Sequence, residues 1–384
     1  MRKVSVIGVG QTRFGDLAGK SPRELLSEAF QEALEDVNKG LNRKQIQTAF
    51  IGTLGIGGGQ VGNISALAVD SMGLTGIPSI RVENACASSG FAFLMAVMAV
   101  KSGSCDLAVA AGVEKMRDIS SRRARYWLGV SGDMQWERLA GTTFPGVYAL
   151  MATRHMHEYG TTREQLGLVA VKNHKNASDN PKAHFQRAVT IEGVLRSPMV
   201  AYPLSIFDCC PTSDGASAVI VCERSLARNY TDTPIEVAGF GAATDALPLF
   251  SRESCTSLRA TVEASRKAYQ MAGLEASDVD VAEVHDCFTV AELIAYEDLG
   301  FGKKGEAGKM IQQGETQIGG RIPVNSSGGL KAKGHPIGAT GAGQIYELVR
   351  QLRGDVEKPN RQVSGANIGL THNVGGSGST AVVH

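Results

Sequence analysis

The chain has 384 residues, 20% charged and 43% hydrophobic, and its 39 Lys and Arg nearly balance 38 Asp and Glu for a formal net charge of +1. Such a length holds two or three domains, and the neutral balance excludes the charge signature of a nucleic-acid or anionic-membrane binder. Seven cysteines, an odd number with no Cys-x-x-Cys pair, argue against a disulfide framework or a structural zinc and fit a reducing compartment. No apolar run is long enough to span a membrane, the start reads as a strand without a charged leader, and the end, Val-Val-His, carries no Ser-Lys-Leu address. The expectation is a soluble, cytoplasmic protein.

In chain order, Val4–Val9 reads as a strand, followed by a glycine-rich turn and an amphipathic helix from Ser21 to about Asn38, with Ser21 as N-cap and Pro22 at the first helical position. A strand near Ala49–Gly52, a glycine cluster and a helix near Asn63–Met72 come next. Ile77–Val82 reads as a buried strand, and Phe91–Val100, apolar almost all round, as a central buried helix. Asp106–Ala111 is a further buried strand. The segment Glu114–Pro198 differs in character. It holds both tryptophans, Arg117, Arg122, Arg123 and Arg125, and helix-like runs at Pro145–Tyr159 and Thr162–Asn176. We read it as an insertion over the core, its arginines either a solvated face or a contact for substrate phosphates.

The pattern then restarts. Ile235–Gly241 repeats the spacing of Val4–Gly10, Ser257–Met271 matches the first helix, and Val279–Val284 matches Ala49–Gly52. Ile322–Val324 leads through small residues into a helix, as Ile80–Val82 does, and Val363–Ile368 and Ser379–Val383 read as closing strands. The sequence thus predicts two homologous α/β halves.

Four motifs carry chemistry. Arg81–Gly90 places Cys86 on a strand-to-helix turn crowded with small residues, where open N–H groups and the helix dipole favour a reactive thiolate; a small buried core cysteine is the alternative. Gly334–Gly341, Gly-His-Pro-Ile-Gly-Ala-Thr-Gly, places His335 at the matching turn of the second half, where a neutral imidazole can exchange a proton. A pseudo-twofold axis would bring these two helix starts together. Glu283–Thr289 holds His285 and Cys287 two apart, on one side of an extended segment. Thr371–Gly378, read as a loop between two strands, offers N–H groups for half of an oxyanion hole.

Other motifs fail on inspection. Gly57–Gly62 matches G-x-G-x-x-G but falls in the second β–α turn, while the first breaks the pattern at Arg13. Gly308-Lys309 is followed by Met310, so no Walker A motif is completed, and a G-x-S-x-G elbow around Ser88 would need glycine where Cys86 stands. His155 and His157 lie two apart on a helix, on different faces, and make a poor metal pair.

Together these residues resemble the thiolase superfamily over essentially the whole chain, and within it the archaeal and sterol-carrier-protein-2-type enzymes. The Asn-Glu-Ala-Phe of the wider family is replaced by His285-Asp286-Cys287-Phe288, its C-terminal cysteine gives way to Asn373, and Cys209–Gly215 is a further point of likeness. The resemblance implies a thiolase fold: two βαβαβ-type halves in five α-β-α-β-α layers, with an inserted loop domain. The expected division is 1–113 completed by about 199–230, 114–198 as insertion and grip on coenzyme A, and 231–384.

It also implies roles. Cys86 would attack an acyl-CoA thioester and hold the acyl group. His335 would assist its deprotonation and then bind an enolate oxygen, with His285 supporting that oxyanion hole through a water. Cys287 would exchange the α-carbon proton, and the backbone N–H groups of Cys86 and Gly375 would hold the oxygen of the acylated cysteine. Coenzyme A would be substrate and product, with no metal and no other cofactor, and its contacts are unassigned. Likeness to archaeal enzymes implies acetoacetyl-CoA formation for the mevalonate route, a homodimer or homotetramer, and association with a DUF35-type OB-fold protein and hydroxymethylglutaryl-CoA synthase. The alternatives are a ketoacyl-synthase-type condensing enzyme, disfavoured by Cys287 beside His285, and a catalytically silent scaffold or lipid-handling protein.

Overall fold

The computed structural model describes residues 2–58 and 60–384; Gly59, within the Gly57–Gly62 motif, lies outside them. The strands are β1 (Val4–Gln11), β2 (Thr48–Gly52), β3 (Ser79–Val82), β4 (Leu107–Glu114), β5 (Met199–Ala201), β6 (Leu204–Ser205), β7 (Gly215–Glu223), β8 (Ile235–Glu236), β9 (Gly241–Thr244), β10 (Val281–Glu283), β11 (Gly369–Gly375) and β12 (Thr380–Val383). Among the described residues they form a six-stranded sheet, β3-β2-β4-β7-β1-β8, a four-stranded sheet, β10-β11-β12-β9, and the hairpin β5-β6. The helices are α1 (Pro22–Glu35), α2 (Ile64–Ser71), α3 (Ser88–Lys101), α4 (Ser121–Gly129), α5 (Phe144–Tyr159), α6 (Arg163–Ala177), α7 (Ile191–Arg196), α8 (Arg224–Ala227), α9 (Arg259–Ala272), α10 (Thr289–Asp298), α11 (Ala307–Gln312), α12 (Gly329–Ala332) and α13 (Thr340–Arg353).

The repeat read from the sequence is built into the sheets. In the first, β2 runs parallel to β3 and β4, and β7 is antiparallel to both β4 and β1. In the second, β10 pairs in parallel with β11 and bridges in parallel to Val324, and β12 is antiparallel to β11 and β9. Order and polarity correspond strand for strand. The glycines that mark the repeat serve one purpose in both halves. A Cβ at Gly10 would land on the carbonyl oxygen of Ala29 in α1, and one at Gly241 on that of Ala264 in α9. Glycine therefore lets each first strand lie directly on its helix.

Side-chain alternation sets the layers. One face of the first sheet (Ile7, Ile51, Val109, Ile220) packs on Leu25, Leu26, Ala29 and Phe30 of α1. The other (Val6, Phe50, Ala110, Val219, Val221) packs on Phe93 and Val97 of α3 and on Ile345 and Val349 of α13. Beyond these two central helices lies the second sheet, whose outer face meets α9 and α10 through Ala264, Ala268, Leu293 and Ile294. The result is five layers, α-β-α-β-α. At the middle, α3 and α13 cross where a Cβ on Gly341 would collide with the backbone of Gly90, and Ala342 N–H donates to Ser89 Oγ (3.0 Å).

Several element readings change. Strand β11 begins at Gly369, after the predicted Val363–Ile368, because Gly365 and its neighbours turn; the Thr371–Gly375 motif is thus mostly strand, and only its end is loop. Strand β3 is an edge strand, with Ile80 52% exposed, since nothing pairs beyond it. Met95 and Met98 on α3 are also exposed, so the helix is not buried all round. In the second half β8 joins the first sheet and β9 takes the place of β1, splitting the stretch that the sequence presents as one strand.

Candidate active site

The turn carrying Cys86 is tightly laced. Ala85 has a left-handed φ of 49°, its N–H donates to the Glu83 carboxylate (2.6 Å), and Ser88 Oγ accepts from Asn84 N–H (3.0 Å) while donating to Ala85 O (2.6 Å). This leaves Cys86 two residues before α3 and only 7% exposed. His335 approaches from the other half, five residues before α13, on a segment fastened by its N–H to Ser213 Oγ (3.2 Å). Its Nδ1 lies 2.7 Å from Thr340 Oγ1, and that hydroxyl donates to Pro336 O (3.0 Å). Thr340 has one proton to give, so it accepts from Nδ1–H, and His335 keeps a lone pair on Nε2. That is the form of a general base.

His285 enters from the end of β10, with its Nδ1 3.0 Å from Asn373 Nδ2 and its Nε2 buried without a partner. The two imidazoles meet edge to face, 5.2 Å between centroids. Cys86 Sγ, one ring nitrogen of His285 and one of His335 lie within 4.8 Å of one another. Three such donors could share a soft divalent cation; as they stand they form a nucleophile between two imidazoles. Cys287 is buried on the same loop, close enough that a charge on Cys86 acts on it. Its carbonyl accepts from Cys210 N–H (3.0 Å). Asp286, pointing the other way, accepts from the N–H groups of Leu330 and Lys331 (2.7 and 3.1 Å) and from Asn173 Nδ2 (2.7 Å), which ties this loop to α12 and α6.

Electrostatically the pocket favours neutral groups. Burial pushes the Cys86 thiol above its ordinary pKa, with the nearby Cys210 and Glu114 adding to the rise, against hydrogen bonds from the N–H groups of Gly376 and Cys86 itself. The sequence-based expectation of a helix-acidified thiol is therefore outweighed by desolvation. Cys287 is raised well above its ordinary value for the same reason, and burial lowers His335 to about 3 and His285 well below 6.5. The resting site is two thiols and two neutral imidazoles. A thiolate forms here by handing its proton to a neighbour rather than to water.

The four side chains singled out from the sequence are thus brought together. Gly375 ends β11 and lies against the Cys86 turn, where a Cβ on it would collide with Asn84 O. Arg122, Arg123 and Arg125 lie exposed on α4, while Arg117 pairs with Asp16 (3.1 Å). Three contributors escaped sequence reasoning. Tyr148 on α5 stacks on Phe288 (4.5 Å) and donates to Gly376 O (3.1 Å), close beside Cys287. Glu114, fully buried, accepts from the N–H groups of Leu54, Gly55, Ile56 and Gly338 at 2.8–3.0 Å. Cys210, part of the Cys209–Gly215 run, is a third thiol beside Cys86 and Cys287. The paired Cys209-Cys210 was a signal for the last; Tyr148 gave none, since its partner lies 228 residues away.

Two matched halves, with a cysteine at one helix start and two histidines and a second cysteine converging on it from the other, define an enzyme that moves acyl groups through a cysteine thioester. The chain belongs to the thiolase family: residues 4–225 match the thiolase N-terminal domain, and residues 241–384 match a domain described as thiolase C-terminal domain-like. It is an acyltransferase of that family. It is 51% identical to an acetyl-CoA acetyltransferase of Methanothermobacter thermautotrophicus, over 100% of this chain and 99% of that one. It is 34% identical to sterol carrier protein 2 of Bos taurus, over 99% of this chain and 71% of that protein. Among solved structures it resembles an Ltp2-ChsH2(DUF35) aldolase, at 28% identity and a TM-score of 0.85 over 99% of this chain and 97% of that one.

Proposed function

We propose that the protein condenses two molecules of acetyl-CoA to acetoacetyl-CoA and CoA, reversibly, through an acetyl group held on Cys86. The observation that carries this reading is the convergence of Cys86, Cys287, His285 and His335 from two halves in one buried pocket. The full-length likeness to an acetyl-CoA acetyltransferase supports the choice of acyl group.

In this reading the proton of Cys86 passes to His335 Nε2 as sulfur attacks the thioester carbonyl. The departing CoA thiolate takes the proton of Cys287, which becomes a thiolate. Cys287 then removes the α-proton of the second acetyl-CoA. The enolate attacks acetyl-Cys86 and breaks its C–S bond, and the Cys86 thiolate recovers its proton from His335. Each group ends as it began, which suits a site whose resting thiols and imidazoles are all neutral. Protonated His335, with His285, holds the enolate oxygen. The N–H groups of Cys86 and Gly375 hold the oxygen of acetyl-Cys86. No other cofactor is required by these steps.

Residues 1–113 with 199–230 and residues 231–384 are taken as the two catalytic halves, and 114–198 as the segment gripping coenzyme A. The free edge of β3 with exposed Ile80, together with exposed Met95 and Met98 on α3, supports a homo-oligomer, because an apolar edge strand is a template for a second copy. The likeness to a DUF35-containing aldolase supports a DUF35-type partner, and likeness to an archaeal enzyme supports a cytoplasmic role at the head of the mevalonate route, beside hydroxymethylglutaryl-CoA synthase. No helix among the described residues is long and apolar enough to cross a membrane. Mass spectrometry of the protein mixed with acetyl-CoA tests the core of the reading. An acetyl adduct on the Cys86 peptide is expected, and intact protein without adduct overturns it.

A further inference from the structure

We infer that Asn373 is a positioning residue that fixes the tautomer of His285, making its free nitrogen a hydrogen-bond donor to the enolate oxygen. This rests on the acyltransferase reading above. A neutral imidazole has one N–H and one acceptor, so whatever holds one nitrogen decides what the other can do. His285 Nδ1 lies 3.0 Å from Asn373 Nδ2, an amide nitrogen that can only donate. Nδ1 must therefore accept, and the proton resides on Nε2, the atom left buried without a partner beside His335 and Cys86.

Which end of the amide is oxygen is assigned from its surroundings. Asn373 Oδ1 lies over the first turns of the two central helices: a Cβ built on Gly341 would be 2.5 Å from it, and one on Gly90 2.9 Å. Oδ1 accepts no hydrogen bond there, but it lies at the positive ends of α3 and α13. A carbonyl oxygen is attracted there, and an NH2 group would be repelled. The amide is thus held oxygen towards the helices and nitrogen towards His285. Asn373 is 1% exposed and sits in β11, opposite Val382 of β12, so its side chain is fixed at the base.

The two histidines consequently hold opposite tautomers. Thr340 gives His335 a lone pair on Nε2, to take a proton; Asn373 gives His285 a proton on Nε2, to donate. In the other tautomer His285 would present a lone pair to a developing negative oxygen, and the interaction would change sign.

The test reads the tautomer directly, by long-range proton–nitrogen NMR of wild-type protein labelled with 15N-histidine, the His285 signals being identified by their loss in His285→Gln. The expected result is protonation at Nε2. The second arm is Asn373→Asp, nearly the same shape, whose carboxylate accepts from Nδ1 and reverses the tautomer. Its condensation rate should fall on the order of 10²-fold, the effect of losing one oxyanion donor, while acetylation of Cys86 falls much less. Protonation at Nδ1 in the wild type overturns the inference, as does near-normal condensation in both Asn373→Asp and Asn373→Ala. If Asn373→Asp fails to fold, the wild-type spectrum alone decides. A wild-type protein that forms acetyl-Cys86 but shows the wrong tautomer defeats only this inference; a protein that forms no adduct defeats the reading beneath it.

Discussion

The two halves share strand order, polarity and the glycine contact between first strand and first helix, yet the corresponding strands β4 and β11 carry side chains with different tasks. In the first half β4 ends at Glu114, whose carboxylate gathers four backbone N–H groups from the loop after β2 and from the turn before α13. In the second, β11 carries Asn373, whose amide reaches an active-site imidazole. In the proposed reaction the first half supplies the nucleophile and the fastening of its surroundings, and the second supplies the groups that handle protons. A duplicated scaffold repeats backbone geometry closely because packing enforces it, while the side chains at strand ends, which face a pocket rather than a core, are free to diverge.

The largest expected effect tests the first half's share. Cys86→Ala should lower condensation on the order of 10⁴-fold or more, as loss of a nucleophile does, and should leave no acetyl adduct; residual turnover at a tenth of wild type would place the nucleophile elsewhere. Cys287→Ala tests the second half's share. Condensation should fall about 10²–10⁴-fold, the range for a lost acid/base, while Cys86 is still acetylated in a stoichiometric burst. Normal condensation in this variant would erase the division of labour between the halves.

Glu114→Gln probes the opposite side of the comparison. An amide offers one oxygen where the carboxylate offered two, so buried N–H groups lose partners, and urea unfolding should show a loss of about 2–3 kcal/mol. The folded fraction should still acetylate Cys86. A variant of full stability and no acetylation would make Glu114 a reacting group and collapse the contrast.

The smallest effect concerns pH. Burial lowers His372, bonded to Thr261 Oγ1 at 2.9 Å, to about 3. A depressed pKa means its contribution is intact above about 6.5 and is lost as pH falls towards 3, since the unfolded chain takes up a proton that the folded one refuses. Between pH 7 and 5.5 this residue should remove about 1 kcal/mol. His372→Gln should lose that much less over the same interval in paired urea melts; an unchanged difference would mean that His372 is protonated in the fold.

Much of this was legible in the sequence because it is local. The Cys86 turn, the Gly-His-Pro motif and the His-Asp-Cys-Phe run are contiguous, and the capping box of Ser21 with Glu24 marks the start of α1 to the residue. The repeat could be read because glycine is demanded at Gly10 and Gly241 by the helix each strand touches. What was not legible is set by distant partners. Nothing near Tyr148 announces Gly376, and nothing near Glu114 announces Gly338. The raised pKa of Cys86 was missed for the same reason, since burial is a property of the assembled layers. The start of β11 was misplaced because Val363–Ile368 has strand-like residues but turns at Gly365, whereas Gly369–Gly375 has few such residues and is held by pairing with β10 and β12.

The crossing of α3 and α13 has a consequence for how the molecule can be interrogated. Cys86 lies just before one of these helices and His335 just before the other, and at Gly90 and Gly341 the helices touch backbone to backbone with no side chain to take up slack. Neither half owns a complete reaction, so two fragments cut in the connection between β7 and β9 should each be silent and regain turnover only on reassociation. Turnover then works as a gauge of docking: it reports whether the halves are seated.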